Sequence, residues 1–269
     1  MAHIPSFDQL PFRRRIQALR WVRILWWPLV LLIAWGLRAR LGGAVLALLF
    51  FGVVGWAALS GWLASLRRQF LREAQLPSFL ADKVREAYPQ LRPRDADLVL
   101  HGLRQFFLAH SRSKHQFVAM PSKIADAAWH EFILHTRGYA RWCDIAFGRL
   151  LHHTPAEVLG KSARRNDGLR RSWYWACKEE SIDPRKPSRL PLLFALDAKF
   201  AVAGGFAYVA DCSAIDKAAR SDVYCGSSFG NEGGGGGGGC GGDAQGFGGS
   251  ESSGDGGGDG DGGSGCGGD

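Results

Sequence analysis

Two charge-free runs dominate the first quarter of the chain. "ILWWPLVLLIAWGL" lies between Arg23 and Arg38, and "LGGAVLALLFFGVVGWAALSGWLASL" lies between Arg40 and Arg67. As helices rising about 1.5 Å per residue, the second covers about 39 Å and the first about 21 Å, against a hydrocarbon core of about 30 Å. The longer run spans with a tilt. The shorter one spans if Arg23 and Arg38 snorkel outward and Trp21, Trp26, Trp27 and Trp35 take interfacial positions. A signal peptide needs a small-residue cleavage site after one apolar stretch, whereas here "RARLGG" turns straight into a second, longer one. The pattern predicts an N-terminal transmembrane helical hairpin with spans at about 22–37 and 42–66, inside an anchor of residues 1–75, with a single span preceded by an interfacial helix as the alternative. Glycines at 42, 43, 52, 55 and 61 allow close helix approach and suggest association through the membrane.

Past Pro77 the apolar positions recur at three and four residues, the period of a helix. "SFLADKVREAY" (78–88) starts at the cap Ser78 and stops at Pro89, and "RDADLVLHGLRQFFLAH" (94–110) sets Leu98, Leu103, Phe106 and Phe107 toward one side. "PSKIADAAWHEFIL" opens with Pro121 and the cap Ser122. "NDGLRRSWYWACKEE" (166–180) and "PSRLPLLFALDAKF" (187–200) complete the set, with no strand pattern of any length. Residues 190–210 are apolar enough to suggest a third span. Asp197 and Lys199 near its middle, at about 2.5–3.5 kcal/mol each in a bilayer, argue for core packing instead. The fold class expected is mainly α: the hairpin, an all-α cytoplasmic domain over 76–225, and a glycine-rich tail over 226–269.

Charge orients the hairpin. Arg13, Arg14, Arg15, Arg20 and Arg23 precede it and Arg67, Arg68 and Arg72 follow, while the connection offers Arg38 and Arg40. The asymmetry places both termini in the cytoplasm. The overall +8 conceals a contrast, because the last 44 residues carry seven acidic side chains and no Lys or Arg, leaving +15 on the rest. That tail has two aromatics, Phe229 and Phe247, and no aliphatic side chain larger than alanine, so it is expected to be a disordered spacer. Contact with the basic body, or thiol association through Cys240 and Cys266, is its alternative use. Six cysteines without close pairing read as thiols of a reducing compartment.

The stretch 127–153 packs four of the eight histidines into helical sequence. Asp126 and His130, four apart, share a face, while His130 and His135, five apart, sit roughly 140° around the helix from each other. A break at His135-Thr136, with Thr136 capping a second helix from Arg137 to Leu151, would fold the two pieces together. His130 reads first as a core histidine hydrogen-bonded to Asp126. A zinc site drawn from Asp126, His130, His135, Cys143, His152 and His153 is the alternative, although no C-x-x-C or H-E-x-x-H spacing accompanies it. A Cys143–His nucleophile pair lacks a visible third partner or oxyanion loop, so the protein is read as non-enzymatic and without a cofactor.

This segment resembles the plant and bacterial glycine-rich domain proteins. Their pattern D-x-x-W-H-x-x-x-L-H-[P or T]-x-x-Y-x-x-x-C is matched by Asp126, Trp129, His130, Leu134, His135, Thr136, Tyr139 and Cys143. The likeness continues through Phe147-Gly148, through His152, His153, Thr154 and Pro155, through "LPLLFALD", and through Gly205, Phe206 and Tyr208. It covers roughly residues 120–212 and implies a family binding motif without an assigned reaction. The hairpin departs from the soluble plant members.

Two basic groups remain: Lys161, Arg164, Arg165, Arg170 and Arg171, and then Arg185, Lys186 and Arg189. Beside a membrane their nearest partner is anionic lipid headgroups, worth about 1 kcal/mol per side chain near the surface. Nucleic acid is the rival, without a recognised binding motif to support it. The leading expectation is a membrane-anchored cytoplasmic module that binds a protein partner or lipid. A metal-dependent activity of segment 126–153 comes second, and a nucleic-acid contact third.

Overall fold

The computed structural model describes residues 10–37, 44–114, 116–154, 163–210, 224–226 and 229. Among them are eight α-helices and almost no strand: α1 (Leu10–Leu37), α2 (Ala44–Glu73), α3 (Ser78–Ala87), α4 (Pro93–Arg112), α5 (Lys123–Leu134), α6 (Thr136–Ala146), α7 (Ala163–Glu179) and α8 (Leu192–Lys199). Tyr208–Val209 (β1) and Tyr224–Cys225 (β2) form one short parallel ladder. The mainly helical class expected from periodicity holds. The conformation of the tail beyond residue 229 lies outside the described residues.

α4 is the axis of the domain, packed against α2, α3, α5, α7 and α8. Pro93 in its first turn has a fixed φ suited to helix and no N–H to leave unsatisfied, and the Asp95 carboxylate accepts the Arg92 N–H at 3.0 Å. Its buried side carries Val99, Leu103, Phe106 and Phe107, while Leu98 is only half-buried. Around it Phe107 meets Trp142 (4.6 Å between ring centroids), Trp129 (5.9 Å) and Phe147 (6.2 Å) in tilted or edge-on contacts that aromatic quadrupoles favour.

α1 and α2 lie against one another as a hairpin, and both are long and apolar enough to cross a membrane. Trp26 and Trp27, expected at an interface, face α2 instead. The Trp26 indole N–H donates to the Gly52 carbonyl at 2.7 Å, and a Cβ on Gly55 would collide with the Trp26 ring. Gly52 and Gly55 therefore serve packing inside the hairpin rather than between copies, while Gly61 has open space around its missing Cβ. The large apolar side chains left exposed run from Trp21 to Trp35 on α1 and from Leu46 to Trp62 on α2. Those stretches measure about 21 and 24 Å by helical rise. The exposed band on α2 is thus shorter than its charge-free run.

The reason is that the last turns of α2 belong to the core of the helical domain. Leu63, Leu66, Phe70 and Leu71 are buried in the same core as α4 and α6, together with Ile16 of α1. The Phe70 ring lies 5.9 Å from Phe12 and 6.0 Å from Trp142. The Arg20 guanidinium grips both oxygens of Asp144 on α6 at 2.8 and 3.0 Å. A division at residue 75 cuts through this core, so the expected boundary is corrected to the middle of α2.

The expected boundary at 225 is also too early. Phe229 is buried, its ring 5.8 Å from Trp173 and 6.4 Å from Phe194, and Gly226 passes so close to Trp173 that a Cβ would strike the indole. One aromatic in a glycine-rich stretch suffices because the pocket is already built by α7 and α8. Phe229→Ala is expected to cost about 3 kcal/mol. Truncation after residue 230 should leave the melting temperature within about a degree. Thermal melts of the two variants beside the intact chain measure both, and a neutral Phe229→Ala would return residue 229 to the tail.

Candidate functional site

The site is built from the N-terminus of α5. Ser122 caps it, accepting the Ala125 N–H at 3.2 Å. Beneath the cap sits Asp197 of α8, nearly fully buried, whose carboxylate accepts four donors: Ser122 Oγ at 2.8 Å, the Lys123 N–H at 2.7 Å, the Ile124 N–H at 3.2 Å and the Phe206 N–H at 2.9 Å. A carboxylate at a helix N-terminus meets both the orphan N–H groups and the positive end of the dipole. The residue that argued against a third span therefore holds α5 in place. It also explains why "LPLLFALD" and the glycine element after it matter, since Gly205 packs directly on Asp197. Sequence reasoning had no hint of this link, which joins positions 75 residues apart.

α5 breaks where phase and Thr136 predict. His135 ends α5 and precedes α6, so the residue between the helices is His135 rather than Thr136. α6 then stops at Ala146, not Leu151. Gly148 takes φ +78°, its N–H reaching back to Cys143 O at 3.1 Å and Asp144 O at 3.0 Å, the closing pattern of a left-handed helix end. The turn sends residues 149–154 back toward α5. There Tyr139 Oη donates to the Leu151 carbonyl at 2.6 Å and accepts the Trp129 indole N–H at 3.0 Å, a buried relay that ties α5, α6 and the returning loop together. Cys143 is fully buried beside this relay. Burial pushes its thiol, like the Tyr139 phenol, above the ordinary range, and burial pushes Cys177 up to about 12. Burial of this kind favours the protonated thiol of Cys143 in this arrangement.

The relay delivers His153. Its Nε2 stands 2.9 Å from Asp126 Oδ1, and its ring packs edge-on against Trp129 at 4.6 Å. His130 Nε2 lies 3.8 Å from Asp126 Oδ2, and the two imidazole centroids are 4.3 Å apart. The His153 side chain is 11% exposed and Asp126 25%, but His130 is 51% exposed. The core histidine paired with Asp126 is therefore His153, and the assignment of that role to His130 is corrected. His130 points outward because the buried side of α5 is filled by Trp129 and Phe132.

The other histidines of the segment go elsewhere. His135 is exposed, its ring 5.1 Å from Phe79 and folded over Gly138, where a Cβ would collide with it. His152 is exposed, next to the buried Leu151 whose carbonyl the relay holds. Of the six candidate ligands, Asp126, His130 and His153 come together, with their donor atoms within 4.8 Å of one another.

The basic patch is corrected as well. Arg170 and Arg171 are buried, 3% and 6% exposed, and Arg171 donates to the Phe117 carbonyl at 2.9 Å. They are part of the α7 packing and present no charge to a surface. The side chains of Arg164 and Arg165, and Lys161 altogether, lie outside the described residues. Arg189 is paired to Glu180 at 2.8 Å.

A family model described as UCP032817-like matches residues 66–229, more than half of the chain. The chain belongs to the UCP032817-like family. Neither the curated proteins nor the solved structures yield a match. The family match takes in most of the core: it begins at Leu66, buried on the domain end of α2, and ends at Phe229 in its aromatic pocket. It takes in the whole relay and the Asp126, His130, His153 group. The exposed apolar parts of α1 and α2 precede it.

Proposed function

We propose that this UCP032817-like protein is a membrane-anchored, non-enzymatic module that holds its helical domain against the cytoplasmic face of a bacterial inner membrane and binds a partner there. One observation carries the reading. The hairpin that bears the exposed apolar band runs without interruption into the domain's own core through Leu63, Leu66, Phe70 and Leu71. A helix so joined cannot swing freely, so the domain keeps a fixed height and orientation above the bilayer. Exposed Arg13, Arg14 and Arg15 lie on α1 just outside the apolar band, where each contributes about 1 kcal/mol toward anionic headgroups. They take the role that Arg170 and Arg171 cannot. Kinship with the glycine-rich domain proteins is part of the proposal. It is supported by the joint use of Trp129, Tyr139 and Cys143 at the relay and by the capping of α5 from "LPLLFALD".

The test is topology. Cys212, Cys225, Cys240 and Cys266 are replaced by serine, leaving Cys143 and Cys177, which are buried. Single cysteines are then introduced as Gln90→Cys in the domain and Leu41→Cys in the hairpin connection. Leu41→Cys should react with an impermeant maleimide on intact cells, Gln90→Cys only after permeabilisation, and both proteins should resist alkaline carbonate extraction. Labelling of Gln90→Cys from outside, or carbonate release, would sink the reading.

A further inference from the structure

We propose that Asp126, His130 and His153 form a binding site for a divalent first-row transition ion of the zinc type. This goes beyond the anchor reading and does not rest on it. A simple ion pair accounts for the 2.9 Å contact of His153 with Asp126 but leaves the position of His130 unexplained. At 3.8 Å its Nε2 is too far from Asp126 to hydrogen-bond, yet it shares the carboxylate with a second imidazole whose ring centroid is 4.3 Å away. Ligand atoms about 2.0–2.1 Å from a tetrahedral ion lie about 3.3 Å from one another, between the two separations seen here. One ion placed among the three donors turns two imidazoles crowding one carboxylate into a coordinated set.

The support around the group is of the kind a metal site requires. Asp126 and His130 stand one turn apart on a helix whose start Asp197 clamps with three hydrogen bonds, from Ser122 Oγ and the Lys123 and Ile124 N–H groups. His153 arrives on a loop pinned two residues earlier by Tyr139 Oη on Leu151 O, and Trp129 both donates to Tyr139 and packs the His153 ring. Outer partners of this sort fix ligand orientation. Two imidazoles and one carboxylate suit zinc, iron(II) or cobalt(II) rather than calcium or magnesium, which take oxygen donors. With three protein ligands and the half-exposed His130 on the rim, the remaining positions of the ion open toward solvent.

The probe is Zn²⁺ itself. The full chain, purified in detergent and stripped with chelator, is titrated with Zn²⁺ against a chromogenic competitor, and Co²⁺ is used to read the coordination spectrum. Binding should saturate at about one ion per chain and raise the melting temperature. His130→Ala, an exposed position that leaves the core intact, and His153→Ala should each weaken binding by about 100-fold or more. Tyr139→Phe, which frees the loop without touching a ligand, should weaken it by about 10–100-fold. His135→Ala and His152→Ala should bind as the unaltered chain does. The proposal is overturned if the cooperatively melting chain binds neither ion, if His130→Ala binds unchanged, or if His135→Ala or His152→Ala removes binding to the same extent. The topology experiment is indifferent to all of these results.

Discussion

Asp197→Ala is expected to destabilise the domain by about 5 kcal/mol, because charge-assisted hydrogen bonds are worth about 1.5–3 kcal/mol each and four converge on this one carboxylate. The side chain is 3% exposed, so water reaches few of the donors it would abandon. Two of these donors are first-turn N–H groups of α5, a third is the hydroxyl that caps the same helix, and the fourth begins the chain toward β1. Asp197→Asn keeps one acceptor oxygen but turns an NH₂ toward donors, and should lose roughly half as much. Thermal unfolding of the full chain in detergent, followed by circular dichroism, measures both. A loss below about 1 kcal/mol for Asp197→Ala would mean that solvent enters and replaces the carboxylate. Because Asp126 sits in the first turn of the helix so clamped, a partly folded Asp197→Asn protein should also show weakened metal binding. That loss tracks the anchoring of α5 and not the chemistry of the ligands.

What was legible along the chain was what local pattern encodes. The hairpin is written in two charge-free runs, and the helices of the domain in a three-to-four spacing that a packed face imposes. The interruption at His135-Thr136 follows from helical phase and a residue suited to a helix start. The site was legible only in its inventory. His153 joins Asp126 across 27 residues because Gly148 adopts a positive φ and Tyr139 holds the Leu151 carbonyl. None of these has a period that a sequence scan registers. His130 neighbours Trp129 in sequence, but adjacent residues on a helix point about 100° apart, and the bulkier indole takes the buried direction. Arg170 and Arg171 look like surface charge by composition. They are interior because α7 lies where its backbone-facing side meets the Phe117–Ala119 strip, with Arg171 on Phe117 O and Ser172 on Ala119 O at 2.7 Å. Phe229 is hidden by its glycine-rich surroundings, whose average composition is that of a disordered segment although this one aromatic is buried.

A fragment starting at residue 76 is expected not to fold cooperatively, although the apolar pattern marks that point as the start of the domain. It lacks Leu63, Leu66, Phe70 and Leu71, all buried, and burial of each such side chain is worth about 1.5–3 kcal/mol. The loss is comparable to the whole net stability of a domain, about 5–15 kcal/mol, before the cavity left beside Trp142 is counted. The fragment also lacks Arg72, whose fork to Glu179 at 2.9 and 3.1 Å joins α2 to α7. A fragment of residues 60–230 keeps these turns of α2 and loses the α1 side of the cluster, Phe12, Ile16 and Leu19, with the Arg20 fork to Asp144. It should therefore melt cooperatively at a lower temperature than the full chain. Near-ultraviolet circular dichroism and dye binding separate the cases: the shorter fragment should show weak aromatic signals and bind a hydrophobic dye, the longer one neither. If residues 76–230 melt as sharply as residues 60–230, the hairpin is a detachable tether, and the fixed height of the domain above the bilayer no longer follows. If they do not, any displacement of α2 acts directly on the packing of Phe70 against Trp142, which stands on the same helix as Tyr139 of the relay that positions His153.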